Sequence, residues 1–100
     1  MQICAPNHER VRFSRRFSCR AIESWRAEAD ARNVTLTSWI EEKLNRYRGS
    51  CPRNEVDFTD RRAMLSVRLR VEDVAHWKAR AERCRLSTTE WMERVLSCGL

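Results

Sequence analysis

From Met64 to Val71 the chain alternates. Leu65, Val67, Leu69 and Val71 are apolar, and Ser66, Arg68 and Arg70 between them are polar. A period of two predicts a β-strand with one apolar and one polar face. The period then lengthens: Val74, Trp77 and Ala81 recur at i, i+3 and i+7, the stripe of an amphipathic helix. Glu72 and Asp73 sit where the helix dipole favours acids, so this helix is expected to start near Glu72. Cys84-Arg85 marks a turn. Ser87-Thr88-Thr89-Glu90 then has the form of a capping box, a hydroxyl with Glu three residues on. A second helix carries Trp91, Met92, Val95 and Leu96.

The same order of elements occurs earlier in the chain. Over Val11–Ser18, Phe13 and Phe17 hold the apolar register and Ser14, Arg16 and Ser18 the polar one. Arg15 stands where Val67 would, so the strand is expected either to lie at the edge of the core there or to bulge. A helix from near Arg20 carries Ile22, Trp25 and Ala29, and Asn33 occupies the turn. Thr35-Leu36-Thr37-Ser38 opens a second helix with Trp39, Ile40 and Leu44, which stops at Gly49-Ser50-Cys51-Pro52.

Displacing the sequence by 52 residues superimposes the two stretches. Trp25 falls on Trp77, Trp39 on Trp91, Ser14 on Ser66, Arg16 on Arg68, Thr37 on Thr89 and Glu41 on Glu93. With Ala27/Ala79, Ala29/Ala81 and Leu44/Leu96 this gives nine identities over residues 13–48 against 65–100, where chance gives about two or three. Each copy is too small to bury a stable core alone, and a lone strand lacks partners for its backbone. The expected fold is therefore mostly α: a tandem strand–helix–helix chain whose strands pair as an intramolecular two-stranded antiparallel ribbon with four helices. The boundaries read as an N-terminal arm over 1–10, a first repeat over 11–48, a linker over 49–63 and a second repeat over 64–100, all one folded unit. The four tryptophans are expected in its core.

Charge narrows the partner. Lys and Arg number 20 against 14 acids, for a net charge of +6, and all the basic residues but Lys43 and Lys78 are Arg. The guanidinium fork suits phosphate and the edge of guanine. The polar face of the ribbon is expected to carry base contacts through Ser14, Arg16, Ser18, Ser66, Arg68 and Arg70. Arg12 and the helix-capping segments with Thr35, Thr37, Ser87 and Thr89 are expected to hold phosphates. Catalysis is not expected: Gly-rich phosphate loops and Ser/His/Asp signatures are missing, and no residue is assigned a catalytic role. Five cysteines without CxxC spacing predict reduced thiols and no metal site, and no cofactor is expected. The chain has no apolar run of membrane-spanning length, and no apolar signal segment is visible, so it is expected in the cytoplasm with no membrane partner.

Val67-Arg68-Leu69-Arg70-Val71-Glu72-Asp73-Val74, followed by Trp77, Ala81 and Leu86-Ser87-Thr88-Thr89-Glu90-Trp91, resembles the ribbon-helix-helix DNA-binding family of the Arc/MetJ/CopG class. Two motifs in one chain resemble the TraY- and MobC-type accessory proteins of plasmid relaxosomes, as a fused pseudo-dimer. The first copy follows the pattern more loosely, and neither inter-helix turn has the family's usual Gly. The resemblance implies sequence-specific binding of double-stranded DNA, in conjugative transfer or in transcription regulation. It also implies a relaxase or other transfer protein as a partner, and self-association on adjacent DNA sites. The alternative is a protein-interaction module on the same scaffold, an antitoxin or a phage-type inhibitor. An antitoxin usually appends a toxin-binding tail, which is not expected after Leu100.

Overall fold

The computed structural model describes residues 9–49, 51–54 and 59–98. Residues 1–8 of the expected arm, with Cys4, and 55–58 of the expected linker lie outside the described residues. Six elements follow in order: β1 (Arg10–Ser18), α1 (Cys19–Ala31), α2 (Leu36–Arg46), β2 (Arg62–Arg70), α3 (Val71–Arg83) and α4 (Thr88–Ser97). Each element of the second half begins 52 residues after its counterpart. Both strands start slightly before the expected repeats, β2 inside the expected linker.

β1 and β2 form a two-stranded antiparallel sheet with an unbroken register from Arg10↔Arg70 to Ser18↔Arg62. The register is symmetrical about Ser14↔Ser66, whose hydroxyls lie 2.7 Å apart in a hydrogen bond. At both ends the ladder runs one step further: the Cys19 amide donates to the Arg61 carbonyl and the Val71 amide to the Glu9 carbonyl. Phe13, Phe17, Leu65 and Leu69 are buried on one face of the ribbon. They pack on Ile22, Trp25, Trp39, Ile40, Leu44, Trp77, Trp91, Met92, Val95 and Leu96 from the four helices. The core therefore lies between ribbon and helices, and the opposite ribbon face is left to solvent.

Arg15 lies at the edge of the core and causes no bulge. Its guanidinium stacks over the Phe13 ring at 4.4 Å and donates to the Ser14 carbonyl, so the charge stays wet while its stem covers apolar surface. Val71, read above as the last inward strand residue, is the first residue of α3 and is exposed. The strand ends sooner because the chain must turn there to bring Val74 and Trp77 under the sheet.

Matched ion pairs brace the two halves. Arg10 Nη1 lies 2.8 Å from Glu41 Oε2, and Arg62 Nη2 lies 2.9 Å from Glu93 Oε1. Glu41 and Glu93 are buried. Arg10 and Arg62 obey the same 52-residue offset as the two glutamates. Each pair ties the outer end of a strand to the second helix of its own half.

Both inter-helix turns place a left-handed residue where glycine is usual: Asn33 at φ 60° and Arg85 at φ 61°. The amides beyond them, of Val34 and Leu86, return to the carbonyls of Ala29 and Ala81, which satisfies the helix C-termini. Asn tolerates this conformation, whereas Arg is strained in it. Arg85→Gly is expected to stabilise the fold by about 1 kcal/mol, the strain relieved exceeding the entropy that Gly adds to the unfolded chain. Urea melts of both proteins check this, and an unchanged midpoint would count against strain at the turn.

The cysteines depart from the expectation of reduced thiols. Cys51 and Cys84 form a disulfide, with 5.5 Å between their Cα atoms and a separation of 33 in sequence. It fastens the segment after α2 to the end of α3. Closing a loop of that size contributes about 3–4 kcal/mol in the chain-entropy model. The pairing joins residues distant in sequence, so no spacing rule reveals it. Cys19 and Cys98 are free. No described helix is long and apolar enough to cross a membrane.

Candidate nucleic-acid interface

The outward face of the ribbon is a grid of three rows. Across the strands Arg12 stands opposite Arg68, Ser14 opposite Ser66, and Arg16 opposite Met64. Strand alternation puts these side chains opposite to Phe13, Phe17, Leu65 and Leu69. Arg12, Arg16, Met64, Ser66 and Arg68 are exposed and Ser14 is half-buried. The 52-residue offset exchanges Arg12 with Met64 and Arg16 with Arg68, so two of the three rows are not alike. The Arg12/Arg68 end carries two guanidiniums, and the Arg16/Met64 end carries one beside a thioether.

Four of the six expected base-contact residues, Ser14, Arg16, Ser66 and Arg68, lie on this face. Ser18 does not. It is buried and caps α1, its Oγ accepting from the Ala21 amide and donating to Asp60 Oδ2. The hydrogen bond from Ser18 and another from the Arg20 amide hold the Asp60 carboxyl below the usual carboxylate range. Arg70 also leaves the face. It occupies the N-cap position of α3, and its Nε lies 3.3 Å from Asp73 Oδ2, an ion pair without hydrogen-bond alignment. Its neighbours in a shallow pocket are Val34, Ser38, Glu41, Glu42 and Asn45 of the other half. Ser18 and Arg70 have the right parity but stand at strand ends, where the backbone is already turning into helices. Arg12, assigned above to phosphate, instead stands on the ribbon face, and Met64 was missed. Alternation from Ser66 places it on this face, but its apolar side chain carries no sign of a polar contact.

The second helices flank the ribbon. Thr37, near the start of α2, shares an open pocket with Arg10, Arg12, Ser66, Val67 and Arg68. The repeat offset maps these residues onto Thr89, Arg62, Met64, Ser14, Arg15 and Arg16 at the other end. Thr35 caps α2, its hydroxyl accepting from the Ser38 amide at 3.1 Å, and Ser87 caps α4 in the same way through the Glu90 amide. The amides of Leu36, Thr37, Thr88 and Thr89 precede the first intrahelical bond and remain available to an anion. The reciprocal half of the expected capping box is not made. The Glu90 carboxylate is held by Arg94 Nη2 at 2.7 Å. α2 has no acid in its first turn, whereas α4 has Glu90, whose charge Arg94 offsets.

Comparison with family models, with curated proteins and with solved structures returned no match.

Proposed function

We propose that this chain binds double-stranded DNA by laying the outer face of the β1–β2 ribbon in the major groove, in the manner of a tandem ribbon-helix-helix protein. The observation that carries this reading is the three-row outer face, with Arg12, Arg16 and Arg68 directed away from a core that fills the other side. A two-stranded ribbon fits the major groove, where Arg bonds guanine O6 and N7 and Ser bonds either base type. The N-termini of α2 and α4 on either side suit the flanking phosphates, which fix position without reading sequence. Two roles share this chemistry: an accessory protein in plasmid transfer and a transcriptional repressor. The tandem arrangement and its resemblance to relaxosome proteins favour the first. The roles separate on whether the DNA-bound chain recruits a relaxase.

The test is selection of a duplex from a random pool at about 150 mM salt, followed by titration of selected and scrambled duplexes. The ribbon and helix ends together are expected to neutralise about four to eight phosphates, giving a slope of log K on log salt of about −4 to −7. Arg68→Ala should lose about 1–3 kcal/mol on the selected duplex and much less on the scrambled one. Arg70→Ala, off the face, should leave that discrimination intact. A flat salt profile, or tighter binding to single strands, would refute groove insertion.

A further inference from the structure

We infer that Met64 reads the C5-methyl group of a pyrimidine, so that the two ends of the ribbon recognise half-sites that differ in kind. This rests on the proposed DNA-binding role and adds to it the identity of the bases at one end. Met64 is 57% exposed, the most exposed large hydrophobic among the described residues. The others, Val11, Val34 and Val71, lie at the edge of the ribbon, in a turn and at a helix start. Among the described exposed hydrophobics, Met64 alone stands on the outer face, directly across from Arg16 and beside Ser66.

A single exposed methionine is ordinary on a protein surface. Its place in the grid sets this one apart. The residue it replaces under the repeat offset is Arg12, a guanidinium on the same face. A guanidinium donates hydrogen bonds to guanine, whereas a thioether on an unbranched stem donates none and adapts its shape to an apolar surface. The apolar group that a base edge presents in the major groove is the methyl at C5 of thymine. 5-Methylcytosine places the same methyl in the same groove. A protein partner is disfavoured because the neighbours of Met64 on the face, Ser14, Arg16 and Ser66, are polar and leave no apolar patch large enough to dock on.

The flanks agree with the grid. At the Arg12/Arg68 end the ribbon meets Thr37 of α2, whose first turn lacks acids; the other end corresponds to α4, which carries Glu90. On the outer face one end reads guanine with two arginines, and the other reads a methyl beside the single Arg16. The recognised sequence is accordingly not a palindrome, and the protein binds it in one orientation.

The experiment uses the full chain and the duplex it selects from a random pool. Each thymine is replaced in turn by deoxyuridine, which removes only the methyl. One position, in one half of the site, should weaken binding about three- to tenfold, the scale of one buried methyl group. Met64→Ala should bind the thymine and uracil duplexes equally. At that position thymine and 5-methylcytosine should each outbind uracil and cytosine respectively, and their ranking identifies which methylated base the site uses. Met64→Arg, which copies Arg12, should select guanine there and a more palindromic sequence. Circular dichroism should show both variants folded, since the side chain is exposed. Steep salt dependence and sequence selection with no methyl-sensitive position, or methyl sensitivity retained in Met64→Ala, would overturn the Met64 assignment and leave DNA binding standing. Absence of any selected duplex would overturn both.

Discussion

Expressed separately, residues 1–50 and 51–100 are expected to yield no folded monomer. All the hydrogen bonds of the ribbon ladder join one half to the other. Cut apart, each strand exposes nine residues of backbone with no partner, and water alone does not hold a single strand extended. The helices lose their support at the same time. Phe13, Phe17, Leu65 and Leu69 form one apolar sheet face across both strands and roof a core drawn from all four helices. Polar contacts also cross the cut: Ser18 to Asp60, Trp77 Nε1 to Asn45 Oδ1 at 3.0 Å, and Lys43 Nζ to the Cys98 carbonyl at 3.2 Å. Circular dichroism and sedimentation at micromolar concentration test this. Each half should be largely unstructured as a monomer, and mixing should restore the helical signal. A folded monomer from either half would show that the repeats are independent domains.

Trp77→Ala is expected to cost about 3–5 kcal/mol, a large part of the total stability of a domain this size. Trp77 is fully enclosed where α3 meets the other half, and its indole N–H is bonded to Asn45. Truncation leaves a cavity among large side chains that cannot collapse without moving helices. Trp25, its counterpart, is equally buried, but its Nε1 is buried without a hydrogen-bond partner. The residue corresponding to Asn45 is Ser97, a shorter side chain. Trp25→Phe should therefore be milder than Trp77→Phe, by about 1 kcal/mol, the net worth of one hydrogen bond. Urea denaturation of the three variants beside the parent protein measures both differences. A loss below about 1 kcal/mol for Trp77→Ala, or equal losses for the two Phe variants, would contradict this account of the core.

Much of this architecture is legible in the residues themselves. The alternation over residues 64–70, the helical spacing of Ile22, Trp25 and Ala29 and of Val74, Trp77 and Ala81, and the repeat at 52 residues fix the type and order of the elements. They do so because each element must turn its apolar side toward something, and period reports which side that is. The four tryptophans are core for the same reason. The hydroxyl caps at Thr35 and Ser87 are local, between residues three apart, and were equally readable.

Tertiary structure decided what period cannot express. An antiparallel pair of repeats must pair about equivalent residues, but the sequence does not choose between Phe13/Leu65, Ser14/Ser66 and Arg15/Val67; packing of the apolar sheet face on the helices selects Ser14/Ser66. That choice puts Met64 across from Arg16. The limit of each strand is likewise set by where α1 and α3 must turn to reach the core, which makes Ser18 and Arg70, the last residues of their strands, the N-cap positions of those helices and turns their side chains off the outer face. Arg15 in an apolar register is accommodated by stacking on Phe13 at the rim, a contact invisible to alternation. The Cys51–Cys84 bond and the pairing of Arg10 and Arg62 with buried Glu41 and Glu93 join residues 31 to 33 apart. Local patterning carries no information over that separation, because such contacts exist only once the chain has closed its loops.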